Sequence, residues 1–300
     1  MAVRSPGRRE RARARQKALR ARAERLSERA QEERSRHASV DAIFDVVDRD
    51  GQVGGGIIAG ALAYRLFFWS LPFALVLVAG LGVAADANST SPEKAAEALG
   101  MAGLISNSVA TAAKSSTRWY ALLVGVPLVL FATRSLLRVM IGTHRLVWVD
   151  LRTRAPKPTP AATLRLLVLI LGFFALTAGA GAARAASPGP GVLVSVILVA
   201  PYAGVWLLVS LRLPHAVASW TDLIPGALLF GVGIEVVQLL SAYVLAPYSI
   251  EKAGTYGALG TAAALLLGLF LVARLMVAAA VLNAALWERQ GPRRGERSTE

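Results

Sequence analysis

The pattern of apolar and polar positions divides the chain into six long apolar stretches, residues 54–84, 119–142, 164–186, 192–211, 224–246 and 256–287. Each is close to or longer than the about 20 residues that carry an α-helix across a bilayer. The pattern therefore predicts an all-α, polytopic membrane protein with six transmembrane helices. Ahead of the first stretch, Val40, Ile43, Phe44 and Val47 recur at helical spacing, with Asp41, Asp45 and Asp48 on the other side. This predicts a short interfacial helix, capped by Ser39, that feeds a turn at Asp50-Gly51. Pro72 falls inside the first span and predicts a helix kink near 68–72, because proline removes a backbone donor. Between spans, 86–118 reads as an external loop with surface helices, 144–163 as a cytoplasmic loop closed by Pro156, Pro158 and Pro160, and 247–255 as an external turn.

Composition agrees with this pattern. Of 300 residues, 55% are hydrophobic and only 17% charged, too apolar a surface for a soluble domain of this length. The net charge of +14 would suggest nucleic acid, but the basic residues concentrate in the N-terminal arm, alternate loops and the C-terminal tail. That is the positive-inside distribution, and it places both termini in the cytoplasm. Three regions follow: a basic arm at 1–39, disordered or a single helix; a membrane domain at 40–290; and a basic tail at 291–300. The arm has too few apolar residues for a core and no apolar run that would make it a signal peptide. Its expected partner is the anionic headgroup layer of the bilayer rather than nucleic acid. The chain has no cysteine and three histidines, His37, His144 and His215, far apart in sequence. Disulfides and thiolate chemistry are excluded, and nothing calls for a metal or another cofactor. Glycines in the third, fifth and sixth spans let helices approach closely and leave room for a homo-oligomer.

Several short motifs recur in an ordered series: Ala61-Leu62-Ala63-Tyr64 and Ser70-Leu71-Pro72, then Leu213-Pro214, Trp220 and Pro225-Gly226-Ala227. Tyr256-Gly257-Ala258-Leu259-Gly260 and Asn283-Ala284 complete it. Together they resemble the YihY/BrkB family of six-span bacterial inner-membrane proteins, from about residue 40 to 290. The resemblance implies the fold and the bacterial cytoplasmic membrane, and little about activity. One departure is Val281, where the family often carries an acidic residue. Members have been labelled ribonuclease BN. The acids and histidines of this chain are scattered over loops on both sides of the membrane, without the convergent cluster that hydrolysis of RNA needs. The sequence reads as a non-enzyme.

Three charges lie within the apolar stretches. At about 1.5 Å per residue, Arg65 is roughly 13 Å from its cytoplasmic helix end, Glu235 roughly 16 Å and Arg274 roughly 20 Å. Similar depth and the cost of a lone charge in lipid predict that Glu235 pairs with one or both arginines. Tyr64, Ser70 and the Pro72 kink would line the resulting polar site. Arg134 and Arg138, four apart near a cytoplasmic helix end, are expected to snorkel to the interface. The leading reading is a permease- or flippase-like transporter of a small anion or a lipid. The alternative is an envelope scaffold that transports nothing.

Overall fold

The computed structural model describes residues 38–88, 118–148, 157–186, 192–240 and 246–297. The basic arm and the 89–117 part of the expected external loop lie outside the described residues. Seven α-helices follow in order: α1 (Ala38–Val53), α2 (Gly55–Asn88), α3 (Arg118–Val147), α4 (Pro160–Ala186), α5 (Val192–Ser210), α6 (Ile224–Leu240) and α7 (Ala246–Arg297). A short 3-10 turn, Trp220–Leu223, leads into α6. Five segments are long and apolar enough to cross a membrane: Gly55–Gly80, Trp119–Val147, Pro160–Ala180, Trp220–Leu240 and Leu265–Gln290. The sixth expected span is α5, whose apolar part, Val194–Ser210, is shorter.

The chain divides into two units between Arg49 and Asp50, inside α1. In the first unit, Ile43 and Val47 are 63% and 60% exposed, a bare apolar edge of the kind an interfacial helix presents to lipid. In the second unit the link from α1 to α2 turns at Gly54, whose φ of +67° only glycine adopts cheaply. The Gly54 carbonyl accepts the N–H groups of Ile57 and Ile58 at 2.9 and 3.1 Å, which starts α2.

Four boundaries differ from the sequence reading. Helix α1 runs from Ala38 to Val53, so Ser39 lies inside it rather than at its cap, and Asp50-Gly51 is helix rather than a turn. Helix α3 continues to Val147, so His144 and Arg145 are the last turn of a helix, and Val147 is fully buried there. Helix α4 begins at Pro160 rather than 164. Proline suits a first helical turn, and Thr159 Oγ1 accepts the Ala162 N–H at 3.1 Å as a cap. Residues 247–255 are helix rather than an external turn, because Pro247 falls in the first turn of α7, where its missing N–H costs nothing. Helix α7 thus has 52 residues, about 78 Å at the usual rise. Helix α2 runs without interruption through Pro72, as α3 does through Pro127 and α5 through Pro201.

Helix α7 packs against both α2 and α6, while α2 pairs with α3 and α5 with α6. Its buried face is built from Ala273, Val277, Ala280 and Ala284, small enough for close approach. Glycines supply the opposing surface. A Cβ at Gly226 would strike the Ala279 carbonyl and the Asn283 amide, and one at Gly231 would lie 2.6 Å from the Val199 carbonyl oxygen. Asn283, 2% exposed, fixes the start of α6 to α7. Its Oδ1 accepts the Gly226 N–H at 2.6 Å, and its Nδ2 donates to the Leu223 carbonyl at 3.2 Å. Val281 is fully buried, so the acid that often stands there in the resembling family would have no water around it.

Candidate functional site

Helix α4 contacts α3 and α5, and the helices line a partly open, apolar cavity of about 280 Å³. All six helices from α2 to α7 contribute walls, including Leu66, Leu136, Leu169, Val205 and Val272. Ser70 is the one hydroxyl among the lining residues, and it donates to the Phe67 carbonyl of its own helix at 2.7 Å. Aromatic rings frame the space. Trp69 stacks on Phe73 at 4.6 Å, Phe73 meets Phe174 at 4.9 Å, and Trp206 stacks on Phe230 at 4.5 Å. Their positions are fixed by hydrogen bonds that connect neighbouring spans. Trp69 Nε1 donates to Thr133 Oγ1 at 2.8 Å, and Thr133 donates to the Val129 carbonyl at 2.7 Å. Across the cavity, Gln238 Nε2 donates to the Tyr202 hydroxyl at 2.7 Å, and Tyr202 donates to Thr177 Oγ1 at 3.4 Å. The cavity surface is wholly apolar; Nε1 of Trp206, a side chain 3% exposed, has no acceptor among the described residues but is not exposed to the cavity. A buried donor without an acceptor costs about 1–3 kcal/mol.

The two intramembrane arginines bond to residues that the sequence did not single out. Arg274 closes on Asp50, with Nη1 donating to Oδ1 at 2.7 Å and Nη2 to Oδ2 at 2.6 Å. The fork geometry of guanidinium and carboxylate makes this a bidentate bond. The sequence reading assigned Asp50 to an interfacial turn and so missed it. Counting helical depth along the sequence cannot show that Asp50 reaches α7. Arg65 donates from Nη1 to Ser135 Oγ on α3 at 3.0 Å. Glu235 stays on α6, 4% exposed.

Tyr64 and Arg65 do come together, but on the outside of the bundle. They line a groove of about 570 Å³ between α2 and α3, with Phe68, Leu71, Pro72 and Phe131 among its walls. Tyr64 is 55% exposed and Phe131 74%. Ser70 belongs to the central cavity instead, and neither Glu235 nor Arg274 lines either space. Ser135, Thr133 and Trp206 were not singled out from sequence. Polar residues inside apolar runs were the available signal for the first two, since hydrocarbon forces such groups to find partners. Nothing local distinguishes Trp206 from a packing residue. Among the described residues no three His, Asp or Glu side chains gather to hold a metal ion.

Long apolar helices, an aromatic-framed apolar cavity and arginines on span surfaces define a helical integral-membrane protein. A family profile described as Virulence factor BrkB matches residues 48–300, and the chain belongs to that family. No curated protein and no solved structure matches the chain.

Proposed function

We propose that this protein is a flippase-like carrier of an amphipathic lipid, built as six spans with both termini on the cytoplasmic side of the bacterial cytoplasmic membrane. The observation that carries the reading is the central cavity. A dry cavity of ~150 Å³ takes benzene, so about 280 Å³ takes roughly ten carbons of a chain. The walls offer a hydrocarbon many contacts and an ion none, which favours a lipid over the small-anion alternative. The protein acts without a reaction of its own. The scaffold reading draws its support from the Arg274–Asp50 pair, which fixes packing in the manner of a structural charge.

The test is lipid flipping in proteoliposomes. A fluorescent phospholipid is placed in both leaflets, and the outer population is bleached with a reductant that does not cross the membrane. Active protein should raise the bleached fraction above the roughly half seen without it. Filling the cavity with Val272→Phe should return it to that level while the helices stay folded. Folded wild-type protein that leaves the fraction unchanged would reject the carrier in favour of the scaffold.

A further inference from the structure

A second lipid site follows from the outer face of α2 and α3, and it is independent of whether the protein moves lipid. Within the spans Gly55–Gly80 and Trp119–Val147 there is no Asp or Glu, yet three arginines stand exposed there: Arg65, Arg134 and Arg138. Arg65 is held toward α3 by Ser135. Arg138 follows Ser135 by one helical turn, and Arg134 immediately precedes it. Among the described residues none of the three is bonded to a carboxylate, and the Arg274–Asp50 ion pair involves other residues. Surface arginines in a bilayer are costly without an anion and persist where one is supplied. Within these two spans the chain supplies no such anion.

The groove beside Arg65 is apolar along its length, running past Phe68, Leu71, Leu75 and Leu128. Tyr64 adds a hydroxyl next to Arg65 and packs on Phe68 at a ring separation of 4.6 Å. Scaled from ~150 Å³ for benzene, about 570 Å³ holds on the order of twenty carbons, enough for one acyl chain. Charge at one end and hydrocarbon along the rest is the form of an amphiphile. We infer that this groove binds a single anionic phospholipid, its phosphate bridged by Arg65 and Arg138 and one acyl chain lying between α2 and α3. Because the Cα–Cβ bond of Arg65 tilts toward the start of α2, its stem directs the guanidinium back toward the headgroup layer at that end. Basic pockets between spans commonly recognise anionic headgroups in this way.

The inference is tested on the purified full chain by native mass spectrometry, counting bound phosphatidylglycerol against phosphatidylcholine. Wild type should retain one phosphatidylglycerol in preference to phosphatidylcholine. At about 1 kcal/mol per basic residue, Arg65→Gln and Arg138→Gln should each weaken that binding about fivefold, and together some thirtyfold. Arg65→Lys should recover part of it. If Arg65→Gln impairs folding, Arg138→Gln carries the test, since no hydrogen bond among the described residues holds that side chain. Retention of the anionic lipid by the double variant at wild-type strength would overturn the inference. So would a second copy on this face. The chain has no cysteine, so Phe131→Cys reports directly: disulfide-linked dimers formed in native membranes would mean that protein, not lipid, covers the groove.

Discussion

Asn283 is the place where one substitution should reveal most about how the bundle is held together. Its side chain makes two hydrogen bonds to backbone of another segment, to the Gly226 N–H and to the Leu223 carbonyl, from a position 2% exposed. The N–H is the more serious loss, because the first four N–H groups of a helix have no acceptor within it. In Asn283→Ala it would be left in a site that admits neither water nor another acceptor. An unsatisfied buried group costs about 1–3 kcal/mol, so losing both bonds should cost about 2–4 kcal/mol when the carbonyl keeps part of its helical bonding. An average interhelical side-chain bond in a membrane is worth only about 0.6 kcal/mol, so the size of the effect separates the two cases. Reversible unfolding in mixed micelles, followed by tryptophan fluorescence, measures it. Asn283→Leu provides the control for volume, since it refills the space without restoring either bond and should lose nearly as much. A loss below about 0.5 kcal/mol, the scale of an ordinary surface substitution, would refute the argument.

Three further outcomes are expected. Gly231→Leu should destabilise by about 1–3 kcal/mol or more, since even a Cβ there would lie 2.6 Å from the Val199 carbonyl oxygen, and the same unfolding assay reads it. Asp50→Asn should weaken the bundle, and adding Arg274→Gln should cost little more, because each single change strands a half-exposed charge; strictly additive losses would show that the two groups act separately. A reporter active only in the cytoplasm should work when fused after Arg154, after Asp222 or at Glu300, and be silent after Lys94 or Lys252; a signal at Lys94 would overturn the six-span, N-in arrangement.

Much of this architecture can be read from hydropathy because a bilayer leaves helices little freedom. A run of apolar residues long enough to cross must satisfy its backbone internally, and each predicted stretch contains a helix. Boundaries are less legible, since proline serves equally in a loop and in a first helical turn, as Pro160 and Pro247 show. The charged site was legible in its members but not in its pairings. Arg65 and Arg274 were recognisable as costly residues, and Tyr64 as a neighbour of the first. What sequence could not supply was the lateral geometry that assigns Arg274 to Asp50 across a separation of 224 residues and aims Arg65 at Ser135. The central cavity was illegible for another reason: its walls are drawn from six helices, and no one of them shows more than ordinary apolar packing.

The two arginines also show how one cost can be met in two ways. Arg274 meets it with the carboxylate of Asp50, and the bidentate geometry fixes that residue against α7. Arg65 has only a neutral hydroxyl from Ser135 and keeps most of its donors toward the outside of the bundle. A bundle selected for packing alone would gain by replacing Arg65 with an apolar residue, as buried ion pairs often can be replaced without loss. Its exposed position, beside two other exposed arginines and an apolar groove, is what a surface for an anionic amphiphile requires. The Asp50–Arg274 pair therefore reads as structure, and the α2–α3 face as the place for the proposed anionic lipid.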